Sequence, residues 1–120
     1  MSQSNNDEEK RGSKMSIHIQ ARGFPLSKAL KAAVEKHMLE ILVSHEGIRG
    51  VDVRLEDING KHRGGVDKRC QVILKQDNAP ALILRSTQAD MYLAIRNCAA
   101  RLKRSLSRSS DKQRNYRLNA

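Results

Sequence analysis

Apolar and polar residues alternate from Ser16 to Arg22, setting Ile17, Ile19 and Ala21 on one side and His18, Gln20 and Arg22 on the other. Period two with one apolar side is the mark of a half-buried strand. Gly23-Phe24-Pro25-Leu26 ends the alternation, and Ser27 offers an N-cap oxygen just before the period changes. From Lys28 to Ser44, Leu30, Val34, His37, Met38 and Ile41 fall on one face of a helix, with Gly47 as its stop. His37 belongs to the boundary of that face, as a packing residue. Alternation returns over Val51–Glu56 and over Arg69–Lys75, where Cys70, Val72 and Leu74 point inward. A glycine-bearing connection, 57–68, joins these two strands, and a turn over 76–80 leads into a fourth, Ala81–Arg85. Thr87-Gln88-Ala89-Asp90 then approximates a capping box, with Asp in the place of the usual Glu. The helix it opens carries Met91, Ile95, Cys98, Ala99, Leu102 and Leu106 on one side.

The order β-α-β-β-β-α predicts an α+β fold, a two-layer sandwich with a four-stranded sheet and two helices on one face. Residues 1–14 have no periodicity and are expected to form a disordered N-terminal extension. Residues 15–110 make the folded domain, and 111–120 a short basic tail expected to be mobile.

Charge changes what the last helix means. The chain carries +10 overall, and from Met91 onward eight lysines and arginines face Asp111 alone. Between Met91 and Ser110 there is no Asp or Glu, while Arg96, Arg101, Lys103, Arg104 and Arg108 lie away from the apolar side. A solvated helix face ordinarily mixes signs, since each i,i+4 Glu–Lys pair adds about 0.2–0.5 kcal/mol and like charges cost a similar amount. A face that keeps its self-repulsion suits an anionic partner, and a polyanion such as nucleic acid before an anionic membrane surface. One Phe, two Tyr and no Trp leave no aromatic platform for single-strand stacking. Phosphate contact with structured RNA is what remains.

Catalytic chemistry has no visible seat. His18, His37, His45 and His62 show no metal spacing, and Cys70 and Cys98 form no CxxC. The two cysteines are expected to be buried, reduced thiols, which places the chain in the cytoplasm. Gly60-Lys61-His62-Arg63-Gly64-Gly65 lacks the GxxxxGK[ST] pattern and leads into a strand, so it reads as a flexible basic hairpin tip. No enzyme activity, metal or cofactor is expected, and no membrane partner, for want of a run of about 20 apolar residues.

Several stretches resemble the ribosome hibernation-promoting factor and ribosome-associated inhibitor family, or ribosomal subunit-interface proteins, in their short form. They are Ile17-x-Ile19-x-Ala21-Arg22, Ala29-Leu30-Lys31-x-x-Val34-Glu35-Lys36, Asp90-Met91-Tyr92-x-Ala94-Ile95 and Arg101-Leu102-x-Arg104-x-Leu106. The resemblance spans about Met15 to Arg108. It implies the same fold and binding to the small ribosomal subunit, alone or within the 70S ribosome, in the channel for mRNA and tRNA. Occlusion of that channel would inhibit translation and preserve idle ribosomes in stationary phase. Carried over by position, Arg22, Lys31, Arg101, Arg104 and Arg108 are the expected phosphate contacts to 16S rRNA. Charge and geometry add Lys28, Lys61, Arg63, Lys68, Arg96 and Lys103. Free in solution the protein is expected to be a monomer, and pairing of ribosomes would need a separate dimerising factor. A free-standing double-stranded-RNA-binding module and a regulatory protein-interaction domain share these electrostatics and stay open as alternatives.

Overall fold

The computed structural model describes residues 16–58 and 66–119, with side chains through Arg108. Its elements are β1 (Ile17–Arg22), α1 (Lys28–Ser44), β2 (Ile48–Asp57), β3 (Lys68–Gln76), β4 (Ala79–Gln88) and α2 (Met91–Asn119). The four strands form one sheet in the order β1-β2-β3-β4. β1 pairs with β2 in parallel, and the two remaining pairings are antiparallel. This is the two-layer α+β sandwich the alternation predicts.

Alternation along each strand makes the layers. Val51 sits opposite Leu74, Val53 opposite Val72 and Leu55 opposite Cys70, and all six are buried. Across the next ladder Val72 meets Leu84 and Leu74 meets Leu82. On the helix side Val34, Met38, Ile41 and Leu42 of α1 complete the core with Met91, Ala94, Ile95, Cys98, Ala99, Leu102 and Leu106 of α2. Burying each large aliphatic side chain contributes about 1.5–3 kcal/mol. Leu102 is fully buried; truncating such a residue to Ala typically costs about 2–5 kcal/mol.

Local chemistry fixes the joints. The Ser27 hydroxyl accepts from Leu30 N at 3.1 Å and begins α1. Gly47 has φ +81 and turns the chain into β2, which therefore starts at Ile48, three residues earlier than the alternation alone indicates. Asp77 and Asn78 make the β3–β4 turn, with Asn78 at φ 58. A side-chain amide suits that left-handed position. Pro80 lies inside β4, which is possible because β4 is an edge strand and one missing donor there breaks no inner ladder.

Three element ends differ from the sequence pattern. Thr87 and Gln88 pair with Arg69 and Lys68, so they extend β4 and are unavailable as a capping box. Asp90 caps α2 instead: its Oδ1 accepts from Tyr92 N at 3.3 Å, and its carbonyl accepts from Ala94 N at 3.0 Å. Helix α2 also runs on to Asn119, past the boundary placed near Ser110. Neither Gly nor Pro interrupts 109–119, so the helical backbone meets no breaker there.

β1, β2 and β4 run in one direction and each helix returns over the sheet. Both helices therefore begin at the same end, beside the β2–β3 connection.

Candidate nucleic-acid interface

From Met91 to Arg108, helix α2 buries one stripe and leaves most of the rest of its circumference to solvent. Arg96, Arg101, Lys103, Arg104 and Arg108 are all exposed. At about 100° per residue they fall into two sets. Arg101, Arg104 and Arg108 share one flank, Arg96 and Lys103 the other, with Ala100 and Ser107 on the ridge between. The cations thus occupy a broad arc and not a single line. Arg101 is held against the sheet, its guanidinium donating to the carbonyl of Arg85 on β4. A guanidinium carries five N–H donors, so this bond leaves others for an anion.

None of these five cations forms an ion pair among the described residues. Several of the described acids are paired with other cations: Asp77 with Arg49 at 3.5 Å, Asp52 with Lys75 at 3.3 Å and Glu56 with Arg69 at 3.8 Å. Glu40 lies 3.8 Å from His37, inside α1. Among the described residues, ion pairing is thus confined to the sheet, the hairpin base and α1. From Met91 to Arg108 the cations of α2 keep their charge without an ion-pair partner among the described residues.

The remaining candidates divide. Lys28 and Lys31 are exposed in the first turn of α1, where the helix N-terminus adds positive potential. Arg22 stands elsewhere. It alternates with His18 and Gln20, so its side chain leaves the sheet on the side opposite the helices. Lys68 does not join the exposed set either. Its ammonium lies 3.1 Å from Asp57 and 3.2 Å from Asp67, and these carboxylates, the hydrogen bond to Asp57 foremost, hold it above the ordinary lysine range. Lys61 and Arg63 lie outside the described residues.

Two further arginines escaped the sequence pattern. Arg54 and Arg85 are exposed on the helix-free side of the sheet, and neither side chain is paired with any described residue. Among the described residues no group of three or more His, Cys, Asp or Glu is placed to hold a metal ion. No described helix is long and apolar enough to cross a membrane.

The family model for sigma 54 modulation protein / S30EA ribosomal protein matches residues 17–114. The chain belongs to that family. Among solved structures, a ribosomal subunit interface protein from Coxiella burnetii superposes with a TM-score of 0.68 at 18% identity, over 81% of this chain and 99% of that one. The N-terminal domain of Protein Y from Thermus thermophilus superposes with a TM-score of 0.64 at 20% identity, over 78% of this chain and 98% of that one. These two likenesses establish the shared fold. No curated protein sequence matches the chain. For this member of the S30EA family, the matched region takes in the whole sheet, both helix starts and every described cation of α2.

Proposed function

We propose that this chain is a non-catalytic ribosome-binding factor that occupies the mRNA and tRNA channel of the small subunit through phosphate contacts to 16S rRNA. In that position it inhibits translation and promotes ribosome hibernation in stationary phase, in the cytoplasm. The observation that carries the reading is the α2 surface, where Arg96, Arg101, Lys103, Arg104 and Arg108 are exposed without an acidic partner among the described residues. Phosphates supply the missing counter-charge, and displaced counterions supply much of the binding free energy. Family membership points to the ribosome as the source of those phosphates.

The mechanism is occlusion. A rigid two-layer domain seated on rRNA excludes translation ligands by volume, and no bond is made or broken. Guanidinium forks on α2 fix its orientation by paired hydrogen bonds to phosphate oxygens, with Lys28 and Lys31 as point charges at the end of the sheet. Ribosome pairing, where it follows, is the work of a separate dimerising factor.

The family description also names sigma 54 modulation, which favours a second reading: the same cations dock an acidic protein. A sucrose gradient of ribosomes with added protein separates the two. Co-sedimentation with small subunits and 70S ribosomes, lost after RNase treatment and accompanied by exclusion of mRNA and tRNA, is the expected result. Protein that stays at the top of the gradient at modest salt overturns the ribosomal reading.

A further inference from the structure

The helix-free side of the sheet carries its own pattern of charge. Cross-strand register sets Gln20 beside Arg54, Arg54 opposite Gln71 and Gln71 opposite Arg85, one residue from each strand in a single row. The next row toward the helix starts reads Arg22, Glu56, Arg69 and Thr87. Glu56 is taken by Arg69 at 3.8 Å, and Asp52, one row the other way, by Lys75 at 3.3 Å. Three guanidinium groups are left over: Arg22, Arg54 and Arg85. All three are exposed, and none of these side chains has a partner among the described residues. Strand spacing puts Arg54 and Arg85, two strands apart, at roughly 10 Å. Beside Arg54 the surface sinks into a shallow depression of about 220 Å³ lined by His18, Gln20, Asp52, Val53 and Arg54.

We infer that this open face is a second phosphate-binding surface, separate from α2, on which Arg22, Arg54 and Arg85 hold the backbone of a further RNA segment. Guanidinium donors flanked by the amides of Gln20 and Gln71 match phosphate oxygens, which only accept. No aromatic side chain occupies the two rows, so bases have nothing to stack on and the contact is to backbone. The two isoleucines of this side, Ile73 and Ile83, lie opposite each other in the row beyond, away from Arg22. They leave the arginine rows without the apolar centre that a protein partner ordinarily requires. With α2 on the other layer, the domain becomes two-faced and bridges two RNA segments across its thickness. The inference rests on the reading of the partner as RNA, and adds a surface that α2 does not provide.

The test uses two short RNA duplexes, one labelled with a donor fluorophore and one with an acceptor, mixed with the full chain. Wild-type protein is expected to bring them together and give energy transfer. Arg54→Glu with Arg85→Glu is expected to abolish transfer while anisotropy still reports one bound duplex. Arg104→Glu with Arg108→Glu is expected to do the same from the other side. Arg54→Lys with Arg85→Lys, which keeps the charge, is expected to restore transfer, and thermal melting shows that each variant is folded. Transfer that survives Arg54→Glu with Arg85→Glu overturns the inference, as does wild-type protein that binds one duplex with no transfer. Failure of the ribosomal reading looks different: transfer between duplexes persists while the protein does not sediment with ribosomes.

Discussion

The sulfur of Cys98 on α2 lies 3.7 Å from the carbonyl oxygen of Cys70 on β3, 28 positions earlier in the chain. It also lies 3.5 Å from the carbonyl of Leu84 on β4. Both thiols are fully buried, and Cys98 seats the first third of α2 on two strands at once. The Cys98 hydrogen bond first, and burial second, push the Cys70 thiol well above the ordinary value of 9.0.

An acid whose pKa is raised by folding stabilises the native state fully below its unfolded pKa and loses that contribution as pH rises. The unfolded chain releases the Cys70 proton near pH 9.0 and the folded chain holds it to higher pH. Stability should therefore fall above that pH by up to about 1.4 kcal/mol per unit. Urea melts from pH 8 upward check this, and Cys70→Ala should flatten the decline. In the native protein at neutral pH neither thiol should react with a thiol reagent until the chain is unfolded.

Asp90, and not Thr87, begins α2. Asp90→Ala should cost about 0.5–2 kcal/mol, the usual range for a lost N-cap. Thr87→Val, at a strand position, should change stability by less. Denaturant midpoints of the two variants decide between the cap seen here and a capping box.

Gly23 and Gly47 both hold positive φ, at +84 and +81. A Cβ at Gly23 would come within 3.1 Å of the Asp57 carbonyl, whereas one at Gly47 meets nothing within 4 Å. Gly47→Ala should cost about 1–2 kcal/mol from the left-handed backbone alone. Gly23→Ala should cost more, because backbone must also shift. Paired thermal melts test the order.

Lys68 is expected to matter for the fold and little for RNA. It sits between Asp57 and Asp67, and Asp67 is only 5% exposed. Lys68→Met leaves that carboxylate without its nearest cation, which lowers the melting temperature. Ribosome affinity and its salt dependence should stay as in the wild type.

Helix α1 was legible to the residue because Ser27, a 3.6-residue apolar period and Gly47 all act locally. The inward set Cys70, Val72 and Leu74 was legible because strand alternation needs only neighbours. Thr87 was misread because pairing with Arg69 on another strand overrode its capping chemistry. The meeting of Cys70 with Cys98 depends on how α2 sits over the sheet, which no local pattern encodes. Lys68 looked like a free cation until hairpin closure brought Asp57 and Asp67 beside it. Arg54 stands between Asp52 and Glu56 in sequence, two residues from each, and so has the look of a compensated cation. Only the cross-strand register reveals that those acids belong to Lys75 and Arg69.

The central claim is that α2 binds ribosomal phosphates, and the salt dependence of small-subunit affinity tests it most directly. The affinity of wild-type protein should fall steeply between low and physiological salt. Neutralising Arg104 and Arg108, as Arg104→Gln with Arg108→Gln, should weaken binding and reduce the slope of log K against log salt by about 1 per residue. An affinity and slope unchanged by that double substitution, in a variant that melts like the wild type, would contradict the claim.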